Sequence, residues 1–302
     1  VKSLLSWILI GLALLLPLNA RAAAPLVLLS DSTGSYTLMF DALKEYYGGT
    51  LESAALPANP PLGDRLVVSL GARACEHAMN SADPDTRVLC TFLPAQTFEG
   101  LSTTTPGKTL LSQKRLSALY LDQPLSRQMQ LAKLLLPTMK SIGTVLGPDS
   151  EAQAAQFKAS AQALGLEPVV GHLGSDDNPV KVLTPIIERS DLFLPLPDRS
   201  VFNRAAAKWI LYISLRNKVP LIGFSSKYAD AGAVVALHTT VDQIAQECAQ
   251  WITDYRDSEA LKAPAYPREF SISVNHTAAQ NLDLLLPSTE KLIMQLEQTE
   301  AR

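Results

Sequence analysis

The stretch LFLPLPDRSVFNRAAAKWILYISLRNKVPLIGFSSKYADAGAVVAL, residues 192–237, decides the fold. It reads as an apolar strand (LFLPL), a loop carrying Asp198 and Ser200, an amphipathic helix, a second strand (VPLIGF), a loop with Ser225 and Ser226, and a third strand (AVVAL). Short apolar runs alternating with helical periodicity predict a parallel sheet built from right-handed crossovers. Polar loops then fall at the carboxyl ends of the strands, where open α/β sheets bind ligands.

The same alternation runs outward in both directions. Towards the amino terminus it predicts strands at 26–30, 65–71, 87–92 and 117–124, with helices at 36–47 and from Arg73. The segment LPANPPLG, 56–63, is too rich in proline for a helix, and the polar run FEGLSTTTPGKTLLSQ, 98–113, reads as a loop. Between 126 and 188 helices and strands alternate again, and a helix at 241–255, a strand at 269–275 and helical sequence follow. The expected division is a leader at 1–24, a first α/β lobe at 25–118, a second at 119–237, and a carboxyl-terminal segment at 238–302 that returns across the lobes.

Residues 1–24 have the pattern of a cleaved secretory signal: Lys2, an apolar run from Leu4 to Leu18, and small residues that place cleavage after Ala22. The expected location is therefore the periplasm. Of the 26 basic residues two, Lys2 and Arg21, lie in this leader, which leaves 24 against 29 acidic residues and no basic block. Nucleic acid is not an expected partner. In an oxidising compartment Cys75 and Cys90 are placed to pair, although three reduced buried thiols fit the sequence equally well.

Motifs for covalent chemistry are weak. Gly100, Gly107, Lys108 and Thr109 lack the spacing of a phosphate loop. The tetrad Ser288 to Lys291 has no partner motifs and reads as a helix start after Pro287. The four histidines lack metal-binding spacing, so no catalytic residue, metal or cofactor is expected. Candidate ligand-binding residues are instead the polar groups at strand ends: Ser32, Thr33 and Ser35 after the first strand, Asp122 and Gln123 at the lobe junction, Asp198 and Ser200, and Ser225. Four such loops converging suggest a cleft between lobes. Tyr36 and Phe202 are candidate stacking residues by position.

Three blocks carry a family resemblance: ALYLDQPLSRQMQLAKLLLPTMKSIGTVLGP at 118–148, the opening stretch at 192–237, and FSISVNHTAAQNLDLLLP at 270–287. With them the chain resembles the substrate-binding proteins of ABC importers typified by the tryptophan/tyrosine-type binding proteins. The resemblance implies a type I periplasmic binding protein architecture, two Rossmann-like lobes with parallel sheets that close on a small polar or amino-acid-like ligand. It also implies a monomer that delivers the ligand to an inner-membrane ABC permease. Asp198 matches the family's strand-end aspartate, and Asp122 with Gln123 matches its hinge-proximal motif. Two departures stand out: LPANPPLG replaces a first-lobe helix, and Gly71-Ala72 replaces a Gly-Thr that would set a hydroxyl near the ligand. They leave a second expectation, a binding-protein-like sensor or envelope accessory whose partner is a protein.

Overall fold

The computed structural model describes residues 23–174, 176–198 and 204–300. Residues 1–22 of the expected leader, Ser200 and Phe202 lie outside the described residues. The first lobe is a five-stranded parallel sheet in the order β2-β1-β3-β4-β5. Its strands are β1 (Leu26–Leu29), β2 (Glu52–Ala55), β3 (Leu66–Leu70), β4 (Arg87–Thr91) and β5 (Leu116–Leu119). β1, β3, β4 and β5 are buried along nearly their whole length, which is why their sequences are continuous apolar runs rather than alternating ones.

Helices cover both faces of this sheet. On one face lie α2 (Ala72–Asn80), α3 (Ala95–Ser102) and α4 (Thr105–Ser112), packed through Ala74, Ala78, Phe98 and Leu110. Cys75 of α2 is disulfide-bonded to Cys90 of β4, so the pairing that the sequence left open is made. α3 and α4 correct the expectation of a loop over 98–113. Thr104 caps α4 by accepting from the Gly107 N–H at 3.3 Å, and a proline occupies its first turn. Gly107 is required by packing, because a Cβ there would sit 2.5 Å from the Leu101 carbonyl oxygen. Threonine, proline and glycine are thus a cap and a close contact here.

The opposite face is covered by α1 (Ser35–Tyr47) and by α10 (Val241–Ser258), a helix that arrives from the other half of the chain. Ile244, Cys248 and Ile252 of α10 pack with Val27, Leu29, Met39 and Leu43. A capping box at Thr240 and Gln243 starts α10: the Thr240 hydroxyl accepts from the Gln243 backbone N–H, and the Gln243 side-chain Oε1 accepts from the Thr240 backbone N–H.

The second lobe carries two three-stranded sheets, β7-β6-β8 and β11-β10-β9, joined by a parallel bridge between Phe193 and Leu221. Its strands are β6 (Ser141–Leu146), β7 (Glu167–His172), β8 (Leu192–Phe193), β9 (Ile222–Gly223), β10 (Val235–His238) and the antiparallel edge β11 (Ser271–Val274). β8 is shorter than the LFLPL run suggested because Pro195 and Pro197 have no N–H for the ladder. One face packs α5 (Leu125–Leu135), α6 (Ala154–Ala163) and α12 (Thr289–Glu300) through Met129, Leu131, Phe157, Leu292 and Leu296. The other packs α7 (Pro179–Glu188) and α8 (Arg204–Arg216) through Leu183, Ile187, Ile210 and Ile213. Short helices α9 (Ser226–Ala231) and α11 (His276–Asn281) complete the lobe.

Three chain segments cross between the lobes: after β5, between β10 and α10, and from Ala265 to β11. Ala265 adds to the β5 edge by accepting from the Tyr120 N–H and donating to the Ala118 carbonyl, both at 2.9 Å. The third segment is therefore anchored to the first lobe before it leaves.

Candidate functional site

A cleft of about 690 Å³ opens between the lobes. Each part of its wall lies just beyond the carboxyl end of a strand. From the first lobe, Ala72, Arg73 and Glu76 follow β3, while Pro94, Gln96, Thr97, Gly100 and Leu101 follow β4. From the second, Pro148 and Asp149 follow β6, Pro197 and Asp198 follow β8, and Phe224 follows β9. This is the position where parallel α/β sheets bind ligands, because backbone N–H groups and helix starts converge there.

Gln96 is the most informative wall residue. Both polar atoms of its amide, Oε1 and Nε2, are buried without a hydrogen-bond partner. An unpaired buried amide costs free energy that a bound polar group can recover. Arg73 and Glu76, one turn apart on α2, and Asp149 across the cleft are exposed charges with no ion-pair or hydrogen-bond partner among the described residues. Charges of both signs and the apolar ring of Phe224 thus border one space.

Asp198 reaches the cleft but is also part of its frame. Its buried Oδ2 accepts from the Ser150 N–H at 2.8 Å and from the Ser150 hydroxyl at 2.7 Å. Ser150 Oγ in turn accepts from the Gly147 N–H at 2.9 Å, which fixes the turn carrying Pro148 and Asp149.

Asp122 and Gln123 lie at the lobe junction and do not line this cleft. Asp122 Oδ1 accepts from the Ala95 N–H at 2.8 Å and so holds the first turn of α3, the helix that presents Gln96 and Thr97. Burial pushes its carboxyl up to about 6; the Ala95 N–H opposes the rise and Glu99 adds to it. Gln123 is buried, donating to Thr239 Oγ1 and to the Glu269 carbonyl and accepting from Arg127. It holds all three crossing segments together.

The first-strand loop folds on itself. Asp31 Oδ1 accepts from the N–H and hydroxyl of Thr33, and Thr37 Oγ1 donates to the Ser32 carbonyl. Ser32, Thr33 and Ser35 are exposed, and neither they nor Ser225 are among the residues bordering the cleft. Tyr36 stands edge-on to Phe92 with ring centroids 5.7 Å apart and packs over Gly71, where a Cβ would sit 2.6 Å from its ring. Gly71, at φ 89°, is needed for both the backbone and the ring.

The sequence points to the loops after β1, β5, β8 and β9, marks the one after β3 only as lacking a hydroxyl, and does not point to those after β4 and β6. The signal for the missed ones was available, since the same strand-end rule applies to every strand of a parallel sheet. Gln96 was obscured because the region after it read as a loop, and Arg73 because it read only as a helix start.

Solved structures share this fold. A conserved domain protein from Vibrio cholerae is 18% identical over 91% of this chain and 98% of its own, with a TM-score of 0.62. An ABC domain from Streptococcus pneumoniae in complex with L-Trp is 16% identical, covering 89% of this chain and 98% of that one, with a TM-score of 0.61. The ligand-free, open structure of a substrate binding protein with adhesive properties from Clostridium difficile is 15% identical, covering 89% and 97%, with a TM-score of 0.65. The fold is that of a type I periplasmic binding protein, with two Rossmann-like lobes. No curated protein matches the sequence. The family model described as "ABC transporter substrate binding protein" matches residues 118–298, and by that match, over more than half its length, the chain belongs to the ABC transporter substrate-binding family.

Proposed function

We propose that the protein is an extracytoplasmic solute receptor that closes its two lobes on a small amino-acid-like ligand and presents it to an ABC permease. The observation that carries this reading is the unpaired Gln96 amide, buried in the wall of an inter-lobe cleft. A ligand with both a donor and an acceptor satisfies it. Arg73 offers a counter-charge for a carboxylate, while Glu76 and Asp149 offer counter-charges for an ammonium group. This combination suits a zwitterion, and Phe224 supplies apolar contact for its side chain. The cleft volume is within the range of small-molecule sites. The L-Trp bound by the pneumococcal neighbour is consistent with this ligand class.

Closure rather than covalent chemistry is the work of such a protein. Ligand bridging Gln96 and Arg73 on one lobe to Asp149 and Asp198 on the other favours the closed state by the difference in its affinity for the two states. The leader-like sequence at 1–24 supports export.

The test is a thermal-shift screen of protein refolded to remove carried-over ligand, using amino acids, small peptides, nucleosides and organic acids. A ligand at a hundred times its dissociation constant adds about 2.7 kcal/mol of stability and raises the melting temperature by several degrees. Gln96→Leu is expected to weaken binding of the hit at least tenfold, with the ligand-free melting temperature unchanged or higher. Absence of any hit across the library, or full affinity in Gln96→Leu, counts against the reading.

A further inference from the structure

α8 presents an aromatic face to solvent that the cleft does not use. Trp209, Tyr212 and Leu215 are 46%, 54% and 50% exposed. Their spacing of three residues places them along one side of the helix, and Trp209 stacks edge-on to Tyr212 with ring centroids 6.1 Å apart. The opposite side, with Ile210 and Ile213, is buried against α7 and the sheet. The apolar groups left outside are therefore not spill-over from the core.

The charges around this face are predominantly positive. α8 contains no acidic residue, and Lys208 and Arg216 on it are exposed without an ion-pair partner among the described residues. On the adjoining α7, Lys181 and Glu188 are exposed and Arg189 follows. Lys218, just beyond α8, has only a loose contact of 3.8 Å with Asp283, both side chains well exposed. This local excess of cations stands on a chain whose formal net charge is −3.

We propose that α8 docks this face on an anionic lipid surface, lying in the headgroup layer. Trp and Tyr favour that layer because each has an apolar body and a polar tip, and flanking Lys and Arg pair with anionic headgroups. Among the described residues no helix is long and apolar enough to cross a membrane, so the contact is peripheral. A single convex helix ridge with cations on its rim encloses little area against a protein partner. Against a bilayer it can sink its rings and leave its charges at the surface.

The experiment uses tryptophan emission and co-sedimentation with vesicles of phosphatidylglycerol and phosphatidylethanolamine, compared with phosphatidylcholine alone. The sequence has three tryptophans, Trp7, Trp209 and the buried Trp251, so the contribution of Trp209 is read as the difference between the protein and Trp209→Phe. A blue shift that belongs to Trp209, appears only with the anionic vesicles and fades with salt is the expected result. Lys208→Gln and Arg216→Gln are each expected to lower partitioning about fivefold. Tyr212→Ser is expected to lower it as well, with an unchanged melting temperature because the residue is exposed. Equal binding to neutral vesicles, or no Trp209 shift with either, overturns the proposal. A Trp209 shift that grows with protein concentration in the absence of lipid overturns it in favour of a second copy of the chain.

Discussion

Gln123 donates from Nε2 to Thr239 Oγ1 at 2.7 Å, and Thr239 donates in turn to the Leu121 carbonyl at 2.9 Å. These two residues are 116 positions apart and belong to different crossings between the lobes. The same Nε2 donates to the Glu269 carbonyl in the third crossing, at 3.3 Å. A buried polar cluster therefore ties the three crossings to one another.

Gln123→Ala leaves Arg127 and the Glu269 carbonyl short of a partner inside this cluster. The expected loss of stability is about 2 kcal/mol, the cost of unsatisfied buried groups, read from the urea midpoint. Gln123→Leu, which restores volume but not polarity, is expected to lose at least as much. If it restored stability, packing alone would account for the residue.

Asp198→Ala is expected to affect both binding and folding. The sequence suggests a ligand residue that can be removed with little harm to the fold, but the Ser150 N–H and hydroxyl both depend on its Oδ2. Removing it is expected to cost about 2 kcal/mol of stability and to loosen the Pro148-Asp149 wall. Asp198→Asn keeps an acceptor and is expected to retain most of the stability while changing ligand affinity. An unaltered unfolding midpoint in Asp198→Ala would contradict the framing role.

Asp122 gives a pH dependence whose sign follows from burial. Its carboxyl titrates at about 6 in the folded protein and at the ordinary aspartate value of 3.8 when unfolded. Its contribution to stability is fully present below the unfolded value and is lost as pH rises through about 6. Asp122→Asn keeps an acceptor for the Ala95 N–H without the buried charge. It is expected to gain about 3 kcal/mol at a pH of about 7.5 and only about 0.5 kcal/mol at about pH 4. An equal effect at both pH values would show that charge is not the cause.

Much of this architecture is legible in sequence because parallel strands buried on both faces must be apolar runs. LVVSL in β3 and SIGTVL in β6 carry that signal without ambiguity. β2 does not: Glu52-Ser53-Ala54-Ala55 is an edge strand, half-exposed, and reads as nothing in particular. α3 and α4 were hidden because serine, threonine, proline and glycine mark both loops and helix starts, and only contacts such as Gly107 against the Leu101 carbonyl separate the two. The cleft was harder still. Gln96 matters because its amide is buried without a partner, a property of three-dimensional surroundings that no spacing encodes.

The placement of α10 on the first-lobe sheet affects the order in which the chain can be completed. Val27, Leu29, Val68 and Leu70 share an apolar cluster with Ile244, Ala245, Cys248 and Ile252, residues synthesised long after the last first-lobe strand. At typical synthesis rates the intervening stretch takes on the order of ten seconds. Throughout that interval the nascent first lobe has only one of the two helices that shield this face. The apolar cover on this face of the first lobe is therefore complete only after most of the chain has been made.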